Sequence, residues 1–84
     1  MPDIKWLENA WNDYCSIEDK KTIRKINDSI KDICRHPFDG IGKPEHLKST
    51  NAWSRRIDSK NRLVYSYENN CIIVRYCINH YEDK

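Results

Sequence analysis

The feature that most constrains this chain is a set of three strand-like runs packed close together: Ala52 to Asp58, Arg62 to Glu68 and Cys71 to about Asn79. Only Ser59-Lys60-Asn61 separates the first two, and only Asn69-Asn70 the last two. Links this short join antiparallel neighbours, because a parallel crossover needs about a dozen residues or more. An antiparallel meander follows. Side chains alternate along a strand, so Trp53, Arg55 and Ile57 share one face of the first run and Ser54, Arg56 and Asp58 the other. In the third, Ile72, Val74, Tyr76 and Ile78 oppose Cys71, Ile73, Arg75 and Cys77. Arg55, Arg56, Arg62 and Arg75 thus stand beside Trp53, Ile57, Leu63, Val64 and Val74, which predicts a sheet face that meets an anion. Both faces are partly apolar, so parity does not decide which one the helices cover, and a bulge would exchange them.

The apolar layer behind such a sheet is written in Ile23, Ile26, Ile30 and Ile33, spaced three and four apart with Lys, Arg and Asp between them. That spacing predicts one helix with a single buried stripe, begun by Ser16 as cap and ended at Pro37. Its alternating charges read as a solvated face, with Lys20, Lys21, Arg24 and Lys25 as an edge able to meet phosphate. Upstream, Ile4 to Leu7 reads as an edge strand, and Leu7, Ala10, Trp11 and Tyr14 as one face of a first helix. Trp6, Trp11 and Tyr14 read as core. Residues 37–48 hold both glycines and two of the three prolines. They predict a shaped loop in which Pro44 favours an extended Lys43 and presents Glu45.

The chain has 84 residues, of which 33% are charged, and a formal net charge of +2. This length holds one domain, residues 1–84. The small net charge leaves any nucleic-acid role to local clusters of Lys and Arg. Cys15, Cys34, Cys71 and Cys77 form neither a CxxC pair nor a zinc-site spacing, so reduced thiols and no metal are expected. Nothing resembles a signal peptide or a membrane span, and the expected location is the cytoplasm.

Glu45, Arg62 and His80 together supply the groups for cleaving RNA without a metal. A base must take the ribose 2′-hydroxyl proton, a cation must stabilise charge growing on the phosphate, and an acid must protonate the departing 5′-oxygen. Glu45 suits the base. Arg62 suits the cation, with Lys48 and Arg56 as supporting RNA-binding residues. His80, with an unperturbed pKa of about 6.5, suits the acid, and Tyr81 could stack on a base or position the leaving oxygen. Each has a plainer alternative: Glu45 solvated in its loop, Arg62 paired with Glu68 or Asp58, His80 a surface residue. His36 reads as a cation at the helix carboxyl end.

The motifs resemble the YoeB (Txe) toxins of bacterial toxin–antitoxin modules, within the wider RelE-like group. The likeness is carried by Trp6 with Ala10-Trp11-Asn12-Asp13-Tyr14, by Lys25-Ile26-Asn27 and Ile30-Lys31-Asp32, and by the Pro37 to Lys48 loop. Trp53-Ser54-Arg55-Arg56-Ile57, Arg62-Leu63-Val64-Tyr65 and His80-Tyr81 complete it. It implies a small α+β, microbial-RNase-like fold with two N-terminal helices on a twisted, mainly antiparallel sheet. It also implies an endoribonuclease that cuts mRNA in the ribosomal A site, uses no cofactor and is neutralised by a YefM/Phd-like antitoxin; a homodimer is allowed. The family's catalytic carboxylate falls on Glu45, its arginine on Arg62, its closing pair on His80 and Tyr81, and its supporting cations on Lys48 and Arg56. The chain departs from the family in a short, glycine-free connection at residues 49–52, in Asn61, and in the extra Glu82-Asp83-Lys84. The rival expectation is a non-catalytic RelE-like module that acts with its antitoxin as a transcriptional repressor. A third is a ribonuclease of free RNA.

Overall fold

A computed structural model describes residues 2–48 and 50–78 of the chain. Its elements are β1 (Asp3–Trp6), α1 (Glu8–Ser16), α2 (Lys20–Arg35), β2 (Glu45–His46), β3 (Ala52–Arg56), β4 (Arg62–Glu68) and β5 (Cys71–Tyr76). The strands form one sheet in the order β1-β5-β4-β3-β2. β1 runs parallel to β5 and every other pair is antiparallel. The predicted α+β class, the two helices and the meander are all present.

The isoleucine stripe builds the core as its spacing requires. Ile26, Ile30 and Ile33 of α2 are buried with Ala10 of α1 against Ile57, Leu63, Tyr65, Ile72 and Val74 of the sheet, and Ile23 is half-buried. The helix starts later than Ser16 suggests. Asp19 caps it, accepting from Lys21 N (3.2 Å) and Thr22 Oγ1 (2.8 Å), whereas Ser16 ends α1 and donates to Asp13 O. Asp19 wins because its carboxylate, one residue before Lys20, reaches the unpaired N–H groups of the first turn. Trp6, Trp11 and Tyr14 pack on one another with centroids 4.8–5.7 Å apart. Trp6 and Tyr14 lean on the core, while Trp11 is about half exposed, at 47%.

Asn69 and Asn70 both adopt positive φ, 51° and 58°. Asparagine tolerates the left-handed region, and this pair of angles closes a two-residue hairpin with the twist of its strands. A second irregularity changes which side chains face where. Val64 is level with Tyr76 while its neighbour Tyr65 is level with Val74, so β5 carries one extra residue at Arg75. The bulge is pinned from α1, where Asn9 Nδ2 donates to the Arg75 carbonyl at 3.0 Å. Ile72 and Val74 share a face, as alternation predicts, and it is the one the helices cover, but past the bulge Cys77 turns into the core and Tyr76 to the opposite face. Burial pushes the Cys77 thiol up to about 12, which keeps it protonated.

Arg55 departs from the expectation of a single arginine-lined face. It is 0% exposed and lies on the helix side of β3. Its Nη1 meets Asp32 Oδ2 of α2 and the Ile41 carbonyl, its Nη2 donates to the carbonyls of His36 and Asp39, and its Nε to Tyr65 Oη. Tyr65 Oη in turn donates to the Pro37 carbonyl at 2.6 Å, and Asp32 accepts from Ile41 N at 3.1 Å. A guanidinium carries five donors in a rigid fork, which lets one buried side chain gather three loop carbonyls. Arg55 is therefore the anchor of the 36–41 loop.

Candidate active site

The other face of the sheet is left uncovered by the helices. Ser54 and Arg56 of β3, Arg62, Val64 and Ser66 of β4, and Arg75 and Tyr76 of β5 share it, and residues 45–48 with Thr50 and Asn51 form its rim. Between rim and sheet lies a cavity of about 750 Å³ lined by Glu45, Lys48, Arg62, Val64, Arg75 and Tyr76 among others.

Glu45 reaches this site through an ordered sequence of loop contacts. Arg55 fixes the carbonyls of residues 36–41, and Gly42 then crosses so close to β3 that its carbonyl accepts from Arg56 N at 2.8 Å. A β-carbon on Gly42 would sit 2.8 Å from Arg56 O and 3.1 Å from Arg55 Cβ, and its φ of +78° favours glycine. Lys43 has φ 51° instead of the extended conformation expected before Pro44. Between Gly42 beside Arg56 and Glu45 beside Ser54 the chain advances three residues against two of β3, and accommodating the extra residue at Lys43 outweighs the preference before proline.

Thr50 holds the glycine-free approach to β3. Thr50 Oγ1 donates to Leu47 O (2.8 Å) and accepts from Ala52 N (3.0 Å), and His46 Nε2 donates to Thr50 O (2.8 Å). The threonine hydroxyl does the bonding that a glycine turn leaves to the backbone. His46 also packs on Trp53, with centroids 5.2 Å apart.

Arg62 opens β4. Its Nε donates to Ser54 Oγ at 2.6 Å, and its Nη2 lies 3.5 Å from Glu45 Oε1. Neither Glu68 nor Asp58 is its partner: Glu68 accepts from Asn51, and Asp58 caps its own turn at Lys60 and Asn61. The Glu45 contact is long and exposed, with 69% of the carboxylate side chain and 30% of the arginine's open to solvent. Such a pair adds little stability. It leaves most of the Glu45 carboxylate open to solvent and the Arg62 guanidinium able to meet an anion. Arg56 is exposed and stands directly opposite Arg62 in the ladder, and Lys48 lines the cavity. Four of the six expected site residues, Glu45, Arg62, Lys48 and Arg56, are thus brought to one face. His80 and Tyr81 lie outside the described residues.

Ser54, Ser66 and Tyr76 belong to the site without having been singled out as functional, and Arg75, expected on an anion-meeting face but given no specific role, joins them. Parity with Arg56 and Arg62 would have shown Ser54, but Arg75 and Tyr76 reach one cavity together only because of the bulge, which leaves no mark in the sequence. Among the described residues no three His, Cys, Asp or Glu side chains are grouped to hold a metal ion, and no helix is long and apolar enough to cross a membrane.

Two helices over one face of a mixed five-stranded sheet is also the fold of the Escherichia coli RelE toxin. The chain matches the fold seen in the intact RelBE toxin–antitoxin complex of Escherichia coli with a TM-score of 0.78, over 98% of this chain and 100% of that one, at 13% identity. Identity that low shows the fold alone. Sequence sets the family: residues 6–81 match the YoeB-like toxins of bacterial type II toxin–antitoxin systems, and the chain belongs to that family. It is 46% identical over 83 residues to the toxin YoeB of Synechocystis sp. strain PCC 6803, covering 94% of this chain and 96% of that protein. The YoeB toxin in a heterotetrameric YoeB–YefM complex from Staphylococcus aureus superposes with a TM-score of 0.88 at 42% identity, over 96% and 99% of the two chains.

Proposed function

We propose that this toxin is an endoribonuclease that cuts mRNA in the A site of translating ribosomes in the cytoplasm. Glu45 takes the proton from the ribose 2′-hydroxyl, and the 2′-oxygen attacks the adjacent phosphorus. Arg62, backed by Lys48 and Arg56, stabilises the charge that gathers on the phosphate oxygens. The bond from phosphorus to the 5′-oxygen breaks, His80 protonates that oxygen, and Tyr81 positions it. The products are a 2′,3′-cyclic phosphate and a 5′-hydroxyl. The scheme draws only on side chains.

The observation that carries this reading is the placement of Glu45 and Arg62, a carboxylate and a guanidinium 3.5 Å apart over a cavity that also holds Lys48. Base and charge stabiliser are supplied by different strands and converge where a phosphodiester would sit. β5 runs antiparallel to β4, toward its Arg62 end, which supports the roles given to His80 and Tyr81. Family membership supports neutralisation by a YefM/Phd-like antitoxin.

Induced expression tests the whole reading. The wild type should arrest growth and leave transcripts cut within translated codons, and Glu45→Ala, Arg62→Ala and His80→Ala should each remove the cuts. Full-rate cutting by Glu45→Ala would eliminate it as the base. Cutting of purified transcripts without ribosomes would replace the ribosome-bound substrate with free RNA. A folded wild type that cuts nothing yet represses with its antitoxin would be a binding module.

A further inference from the structure

Arg75 and Arg62 are held alike. Each donates its Nε to a fully buried serine hydroxyl on the open face of the sheet, Arg62 to Ser54 at 2.6 Å and Arg75 to Ser66 at 3.3 Å. Bonding to serine through Nε keeps the two terminal nitrogens of each guanidinium out of that contact and available to an anion, and both arginines line the same cavity. Ser66 stands two residues beyond Val64, the residue opposite Ser54. The two serines therefore occupy a diagonal of the ladder, about 7–8 Å apart. That separation is close to one nucleotide step of an extended single strand.

Arg75 is also fixed from behind. Its carbonyl accepts from Asn9 of α1 at 3.0 Å, and its place on this face depends on the bulge. Bulges commonly re-aim a side chain beside a site. Unlike Arg62, which faces Glu45, Arg75 has no carboxylate within ion-pair distance among the described residues. Among the described residues the cavity wall carries three cations, Lys48, Arg62 and Arg75, against one carboxylate, Glu45. A single scissile phosphate would leave the Arg75 end of that excess unmatched.

We propose that Arg75, tethered by Ser66 and Asn9, forms a second phosphate site that holds the phosphate next to the scissile one. This rests on the proposed RNA-cleaving reading and extends it from one phosphate to two. The neighbouring phosphate is then gripped by the sheet itself, so the strand is aligned through Arg62 at two points and not one. Arg75 is a positioning residue in this scheme, since it touches the substrate away from the bond that breaks.

The test uses the full chain and two uncleavable ligands, 2′-O-methyl UpU with one phosphate and 2′-O-methyl UpUpU with two, titrated by NMR at about 50 and about 200 mM salt. Each phosphate engaged on a single strand costs about 2.6-fold in affinity for that fourfold rise in salt. Wild type should weaken about 2.6-fold for the one-phosphate ligand and about sevenfold for the two-phosphate ligand. Arg75→Ala should reduce the second figure to the first, and Arg75→Lys should restore it. Ser66→Ala should keep the salt dependence and lose affinity for the two-phosphate ligand only. The assignment is overturned if wild type binds neither ligand, if both ligands show one salt dependence, or if Arg75→Ala leaves the difference intact. Glu45→Ala separates this from the catalytic reading. Failure to stop cutting would sink the base and spare the second site, because phosphate binding at Arg75 does not involve that carboxylate.

Discussion

Removing the Asp32 carboxylate should cost more than any exposed ion pair in this protein, and it should damage the site from the opposite side of the sheet. Asp32 Oδ2 meets Arg55, which is wholly buried, and the Asp32 side chain is itself only 21% exposed. In Asp32→Ala the guanidinium stays in the core without its counter-charge. Stripping one partner from a buried pair costs about 3–5 kcal/mol. For a chain of this size about 1 kcal/mol corresponds to at least about 4 °C, so the unfolding midpoint should fall by about 12 °C or more. Simple buried pairs can often be replaced by apolar residues at no loss. This one should resist that repair, because Arg55 also serves the carbonyls of His36, Asp39 and Ile41, which would lose their donor. Urea titrations followed by tryptophan fluorescence can measure both variants, and Trp53 reports on the loop directly through its contact with Phe38, 5.0 Å between centroids. A loss below about 1 kcal/mol in Asp32→Ala, or recovery of wild-type stability in Arg55→Met/Asp32→Leu, would refute the anchor argument.

Three further outcomes follow from the same geometry. Asp32 is held below its ordinary value of 3.8, first by the Arg55 hydrogen bond and then by Ile41 N–H, against the opposing effect of burial. A depressed carboxylate stabilises the fold above its unfolded pKa and loses that contribution as pH falls through the folded one. Stability should therefore decline below about pH 4, and Asp32→Asn should flatten that limb in acid titrations followed by circular dichroism. Gly42→Ala places a β-carbon 2.8 Å from Arg56 O in a left-handed conformation, and should lower stability by about 1–3 kcal/mol in chemical denaturation, with a loss of cleavage beyond it. Ser54→Ala frees Arg62 Nε, and should reduce cleavage while costing about 0.5–1.5 kcal/mol of stability; unchanged cleavage would show that Arg62 needs no tether.

Much of the frame was legible because it is periodic. Four isoleucines three and four apart can only be a stripe on a helix, and two asparagines between apolar runs are hairpin chemistry, so α2 and the β4–β5 turn were readable. Arg55 illustrates the limit. Alternation placed it with Trp53 and Ile57, which was the clue to burial, but an arginine in a strand suggests an outward charge until its partners are known. Those partners are carbonyls, which every residue possesses and no sequence advertises. The bulge at Arg75 is silent for a related reason, since an extra residue on one strand is visible only against its neighbour's register. Glu45 and Arg62 were found from the chemistry they offer together with a family motif; the 3.5 Å between them came from β2, a two-residue strand too short to show any pattern.

The parallel pairing of β1 with β5 sets Asp3 against Cys71 and Trp6 against Val74, positions far apart in the chain. During synthesis, β1 emerges before β5, its neighbour in the sheet, and waits for it until everything from α1 to β4 has been made. Core and cavity both depend on β5, which supplies Ile72 and Val74 to one and Arg75 and Tyr76 to the other. A nascent or prematurely terminated chain that lacks β5 has an incomplete core and an incomplete cavity, so the cleavage proposed above should begin only once that strand has closed the sheet.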